Sequence, residues 1–249
     1  MIQERITARK NPLIQQVRRL VNSRRAREEA GMFVADGTKL LAEAVRWWPG
    51  LHTVILTDGV EAQLPEQVRL VRVPEEIMEY ISPMQTPQGA LFLCRYPQRT
   101  DFVPQPGMLL LDGIQDPGNI GTILRTADAL QVPVVLLEGC ADPYGHKVVR
   151  ASMGAVFRTP VVQTDWETAR NACAAAGIPV AVTALSERAE DIRNAALGQM
   201  AVVIGSEGQG VRQQILLQAD RELIIPMNPN CESLNAAIAA AIVMWQIRH

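Results

Sequence analysis

No stretch of this 249-residue chain reaches the roughly 18 consecutive apolar residues that a membrane-spanning helix needs; the longest candidate, residues 234–247, stops short. The opening MIQERITARKN is charged where a secretion signal carries an apolar run, so a cytoplasmic address and no membrane partner are expected. Cysteine is sparse. Cys94, Cys140, Cys173 and Cys231 stand far apart without a C-x-x-C pair, and His52, His146 and His249 add no ligand-like spacing. That pattern argues against structural zinc and against a disulfide framework, and no metal site is expected. Internal repeats and low-complexity tracts are missing too. What is present is 48% apolar residues at a mean hydropathy near zero, enough to pack the core of one large domain or two ordinary ones.

The chain also lacks any overall excess of positive charge, with a formal net charge of −2. The distribution is uneven. Residues 1–30 hold Arg5, Arg9, Lys10, Arg18, Arg19, Arg24, Arg25 and Arg27 against Glu4, Glu28 and Glu29, a local +5 that leaves −7 for the remainder. Such a segment can release counterions from a phosphate backbone, or it can be a solvated arginine-rich helix; charge alone leaves both readings open.

Between Arg95 and Gly107 the run YPQRTDFVPQPG gathers prolines and polar residues between two apolar segments, and predicts an interdomain linker at 96–106. Before it, residues 1–95 predict a small α/β layer: the basic arm, a helix at 39–47, strands at 53–57, 68–73 and 90–94, and a short helix at 75–80. After it, residues 107–249 alternate short β-branched runs (108–111, 132–137, 161–162, 180–183, 201–204, 223–225) with helical patterns (120–130, 147–153, 166–176, 213–219, 233–248). Continuous apolar strands alternating with helices imply a parallel sheet covered on both faces. Ligands of such sheets lie beyond the carboxyl ends of the strands.

Three unusual loops fall at that edge. The first, Asp112 to Gly121, leads into a helix whose apolar stripe is Ile120, Ile123, Leu124, Ala127 and Leu130. Asn119 suits its cap, and Arg125, off the stripe, can lean back over the loop and the free amides of the first turn, an arrangement suited to anions. A capped helix with a solvated arginine would look the same. The second, GSEGQG at 205–210, lacks the G-x-G-x-x-G order and sets Glu207 where a phosphate would be repelled, so a dinucleotide site is rejected. Its glycines instead let backbone approach a ligand or another segment, and Glu207 can accept hydrogen bonds from an arginine or a hydroxyl. A plain strand-to-helix turn remains the alternative. The third, IIPMNPNCESLN at 224–235, sets Ser233 and Asn235 at the start of a helix that is apolar on almost every side, as a helix buried between layers or in a dimer interface would be.

Together, DPGNIGTILRTADA, VVIGSEGQG and IIPMNPNCESLNAAIAAAI resemble, in order and spacing, the signature motifs of the SpoU (TrmH-type) branch of the SPOUT RNA methyltransferases. HKVVRASMGAVFR, with Arg150, Ser152 and Gly154, is similar to the family's helix between motifs. NPLIQQVRRL, FVADGTKLLAEA and TPQGALF resemble its ribosomal-protein-like RNA-binding extension. The resemblance implies a parallel sheet with helices on both faces and a C-terminal trefoil knot, a rare exception to normal chain topology, plus a small N-terminal α/β domain. It implies S-adenosylmethionine as cofactor, held around Thr183, Ala184, Leu185, Gly205, Ile225, Met227 and Leu234. The catalytic positions carry over as Asn119, Arg125, Glu207, Ser233 and Asn235, and Arg18, Arg19, Arg24, Arg25, Lys39 and Arg150 become the candidate RNA contacts.

The implied reaction is methylation of a ribose 2′-hydroxyl, with ribosomal RNA favoured because the extension resembles those of ribosomal-RNA enzymes and transfer RNA kept as the alternative substrate. A homodimer through the C-terminal domain is implied as well. Methyl transfer requires the ribose oxygen aligned behind the sulfonium methyl and its proton removed. A guanidinium with a pKa above about 12 is a poor base, so Arg125 is read first as a ribose-phosphate clamp and second as proton acceptor, with Glu207 orienting it. The rival functions are a non-catalytic RNA-binding assembly factor on the same fold and a nucleotide-dependent oxidoreductase, the latter opposed by the missing glycine fingerprint.

Overall fold

The computed structural model describes residues 3–97, 102–159, 161–228, 230–231 and 233–249. Part of the expected linker, residues 98–101, lies outside them. In chain order the first elements are β1 (Gln3–Arg5), α1 (Pro12–Asn22), α2 (Arg24–Ala30), β2 (Met32–Asp36), α3 (Thr38–Trp47), β3 (Leu51–Leu56), β4 (Arg69–Arg72), α4 (Glu75–Ile81) and β5 (Ala90–Arg95). Then follow β6 (Leu109–Asp112), α5 (Pro117–Leu130), β7 (Val134–Leu136), α6 (His146–Ala151), α7 (Ala155–Arg158), β8 (Val162–Gln163) and α8 (Trp166–Ala175). The last elements are β9 (Val180–Thr183), β10 (Glu190–Asp191), β11 (Ala201–Gly205), α9 (Gln213–Gln218), β12 (Arg221–Ile224) and α10 (Ala236–Arg248), with short 3₁₀ turns at Ile192–Asn194 and Leu197–Gln199. No described helix is long and apolar enough to cross a membrane.

Two compact units emerge: Met1–Gln98 with Asp142–Pro160, and Arg99–Ala141 with Val161–His249. The first is built on a mixed five-stranded sheet in the order β1-β4-β3-β5-β2. One face is covered by Leu13, Ile14, Val17 and Leu20 of α1 and Ile77, Met78 and Ile81 of α4, packed with Val34, Ile55, Val71 and Leu91. Strand side chains alternate between faces, so Phe33, next to Val34, points the other way and meets Tyr144 at 4.9 Å and Phe157 at 6.3 Å between ring centroids. Arg27 adds a tie, donating from Nη2 to Asp142 Oδ2 at 2.6 Å, with both side chains nearly buried. Residues 142–159, placed by sequence with the later domain, therefore complete the core of the first unit. The basic arm is not a free arm either: Pro at N1 and the Asn11 cap start α1, and Ser23 caps α2.

The second unit carries a seven-stranded sheet in the order β10-β12-β9-β11-β6-β7-β8, and every strand pair in it is parallel. Trp166, Ala169 and Cys173 of α8 and Ile215 of α9 pack against Leu110, Val182 and Val203 on one face. On the other, α10 lies against α5 and β11. Burial on both faces explains why these strands read as unbroken apolar runs.

Candidate functional site

The loop after β6 begins at Asp112, a fully buried carboxylate. It accepts from Arg212 N at 2.8 Å and Arg212 Nε at 2.6 Å, while Arg212 Nη2 donates to Glu138 Oε2 at 2.8 Å. A buried charge needs such a partner, and this one anchors the far end of the 205–211 loop to the end of β6. Nothing in the sequence around Arg212 signalled that role. Gly205 is required within the loop: a Cβ there would lie 2.0 Å from the Gly210 carbonyl carbon. Ser206 and Gly210 exchange backbone hydrogen bonds of 3.1 and 2.9 Å, closing a tight turn with Glu207 near its tip. The close approach allowed by the glycines is thus the loop's approach to itself.

The cap of α5 is Asp116, whose Oδ1 accepts from Asn119 N at 2.8 Å, and not Asn119 as its residue type had suggested. Asn119, freed from capping, turns its side chain outward. Its Nδ2 donates to Glu207 Oε1, and its Oδ1 accepts from Asn235 Nδ2 at 3.1 Å. Asn235 caps α10, its Oδ1 accepting from Ala237 N at 3.0 Å and Ile238 N at 3.3 Å. Glu207 Oε1 also accepts from Ala236 N at 3.4 Å. The carboxylate can only accept and the helix amides can only donate, so both asparagine amides have one consistent orientation. Three residues from three separate segments thus form one polar chain ending on a helix N-terminus.

Ser233 precedes the α10 cap and is exposed. Arg125 is exposed on α5 and makes no hydrogen bond or ion pair with the described residues. Glu207 therefore orients Asn119 and the start of α10, not Arg125 as expected from sequence. Burial pushes the Cys140 thiol up to about 11, and its Sγ donates to Leu111 O at 3.2 Å.

Beside this polar chain opens a cleft of about 690 Å³ bounded by the ends of β9, β11 and β12 and the segment before α10. All seven residues expected to hold the cofactor, Thr183, Ala184, Leu185, Gly205, Ile225, Met227 and Leu234, line it, as do Glu207 and Ser233. The volume lies within the ~300–1,000 Å³ typical of small-molecule sites. Apolar walls from Ile204, Leu216 and Leu223 suit a flat base, and the charged lining residues are Glu207, Glu222 and Arg188, a negative balance that suits a sulfonium ligand. The chemistry of the lining thus fits S-adenosylmethionine.

In the first unit, Arg24 and Arg25 are paired along α2 with Glu28 and Glu29 at 2.8 and 2.7 Å. Arg18 lies over the Tyr80 ring, 4.2 Å from its centroid. Arg19 and Lys39 are exposed, and exposed Arg150 sets Nη1 2.8 Å from Met84 Sδ.

At the carboxyl edge of a parallel sheet, the structure thus gathers at one cleft residues that the resemblance to the SPOUT RNA methyltransferases assigns to catalysis and to S-adenosylmethionine. The chain belongs to the SpoU rRNA Methylase family, which it matches over residues 106–245; residues 11–91 match the MRM3-like substrate binding domain. It is 30% identical to the 23S rRNA (guanosine(2553)-2′-O)-methyltransferase RlmP of Bacillus subtilis, over 98% of this chain and 99% of that one. It is 32% identical to the 23S rRNA (uridine(2479)-2′-O)-methyltransferase of Streptomyces viridochromogenes, over 97% and 91%. The AdoMet-bound rRNA methyltransferase of Sinorhizobium meliloti superposes with a TM-score of 0.86 at 28% identity, covering 99% of this chain and 97% of that one.

Proposed function

We propose that this protein transfers the methyl group of S-adenosylmethionine to a ribose 2′-hydroxyl of ribosomal RNA. The observation that carries the reading is the Asn235–Asn119–Glu207 chain at the rim of a cleft lined by all seven expected cofactor residues. The cofactor supplies an electrophilic methyl. Thr183 to Leu185, Gly205, Ile225, Met227 and Leu234 hold it, and Glu207 fixes Asn119 and the start of α10 so that Asn119, Ser233 and Asn235 present polar groups to the ribose. Arg125, unpaired among the described residues, grips the adjacent phosphate. Mapping 2′-O-methyl sites in RNA from cells with and without the protein tests this. One ribosomal site should vanish with the gene; loss of a transfer-RNA site, a base methyl or no site at all would refute it.

The domains are proposed as 1–95 for RNA selection, 96–106 as linker and 107–249 for methyl transfer, with residues 142–159 as methyltransferase-family sequence built into the first compact unit. The RNA-facing cations are Arg18, Arg19, Lys39 and Arg150. Arg24 and Arg25 contribute less, each being neutralised by a glutamate one turn away. A homodimer through α10 is supported by Ile238 and Trp245, 52% and 58% exposed and two turns apart on one helix face. Met244, the neighbour of Trp245 on the same helix, is fully buried within its own chain. The cytoplasm is proposed as its compartment, which fractionation of cells would check.

A further inference from the structure

The wall of the cleft formed by residues 184–188 is held in two ways. Ala184 N donates to Leu223 O at 2.9 Å, the last backbone bond of the β9–β12 side. Beyond it the segment closes a turn, Ala189 N donating to Ser186 O at 3.1 Å, and rejoins the sheet at β10, while its remaining ties are side chains. Ser186 Oγ donates to Glu222 Oε2 at 2.5 Å, Arg188 Nη2 donates to Glu222 Oε1 at 3.3 Å, and Arg188 N donates to Ser186 Oγ at 3.3 Å. Arg188 is 87% exposed, so its ion pair adds little. The Ser186 bond is of the short, charge-assisted kind, and the Glu222 side chain is only 21% exposed. Leu185 sits between the backbone bond and this latch. It lines the cleft, yet it is 65% exposed, an apolar side chain that the chain itself leaves uncovered.

We propose that Glu222 is a positioning residue for the cofactor: acting through Ser186, it pins the 185–188 wall so that Leu185 is preset to pack on an apolar surface of bound S-adenosylmethionine. This rests on the reading of the cleft given above. A preset wall avoids the ordering cost that a loose loop would charge against binding.

The test compares full-length wild type, Ser186→Ala, Glu222→Ala, the double variant and Leu185→Ala by calorimetric titration with S-adenosylmethionine, and by amide hydrogen exchange over 185–188 in the free protein. Ser186→Ala and Glu222→Ala should each weaken binding about tenfold, as loss of one hydrogen bond to a charged group does. The double variant should be no worse than the poorer single one, because the two residues act as a unit. Exchange over 185–188 should quicken in both, with the melting temperature lowered by no more than a few degrees. Leu185→Ala should weaken binding without changing exchange at its neighbours. Wild-type affinity in Ser186→Ala beside a loss in Glu222→Ala would mean that Glu222 meets the ligand directly, and would overturn the proposal. So would multiplied losses in the double variant, or unchanged exchange. If the wild type fails to bind S-adenosylmethionine, the cleft reading falls and takes this one with it.

Discussion

Asn119→Asp is the sharpest perturbation of the site, because it changes one NH2 to O without opening a cavity. In the native protein Asn119 Nδ2 donates to Glu207 Oε1 and Oδ1 accepts from Asn235 Nδ2. An aspartate keeps the second bond and turns the first into two carboxylates face to face. Two like charges about 4 Å apart repel by about 1 kcal/mol in water and about 4 kcal/mol at the effective dielectric of a protein surface. Glu207 is exposed and Asn119 half-buried, so the cost lies between these limits. At about 1.4 kcal/mol per factor of ten, that is a loss of roughly five-fold to several-hundred-fold in kcat/KM if the chain is needed in the transition state. The repulsion has a sign in pH. Two carboxylates sharing a site raise the pKa of one of them, so acidification protonates the pair and restores a hydrogen bond. The deficit of Asn119→Asp relative to wild type should therefore shrink as pH falls. Methyl transfer from labelled cofactor to ribosomal RNA, measured from pH 5.5 to 8.5 beside Asn119→Ala, reads this. Wild-type turnover in Asn119→Asp, or a deficit that ignores pH, would refute the Asn119–Glu207 coupling.

Gly205→Ala should cost about 1–3 kcal/mol by overpacking against Gly210 and should abolish cofactor binding, seen by denaturant unfolding and calorimetry. Asp142→Ala leaves Arg27 buried without its carboxylate and should cost about 3–5 kcal/mol, a melting point lowered by several degrees. Arg18→Glu with Arg19→Glu should flatten the salt dependence of RNA binding more than Arg24→Glu with Arg25→Glu does, because the latter pair is already neutralised; equal slopes would remove that distinction. Trp245→Glu should yield monomers in sedimentation with the fold intact, whereas Met244→Glu should unfold the chain; a wild type that sediments as a monomer at micromolar concentration yet methylates RNA would end the dimer reading.

Local chemistry made much of this molecule legible in one dimension. Val180–Thr183 and Ala201–Gly205 read as buried parallel strands because both of their faces are covered, and the order of the three loop motifs carried the family, the cofactor and the polar residues of the site. What stayed hidden were the partners. A buried aromatic such as Tyr144 announces that it will be covered but not by which sheet, and only the fold sets it on Phe33. Asp116 and Asn119 are both good cap residues; which one caps and which one reaches Glu207 is settled by backbone three-dimensionally placed, not by residue type. Arg24 and Arg25 differ, since their glutamates lie one turn away on the same helix, a local pairing that helical spacing contains. On α10, Met244 and Trp245 are equally apolar neighbours, and the 100° between successive helical positions puts one in the core and leaves the other outside. Sequence alone determined which segments are covered on both faces and which residue types can cap, pair or act. Tertiary structure decided against what, because periodicity reports the face a side chain takes and carries no record of the surface that meets it.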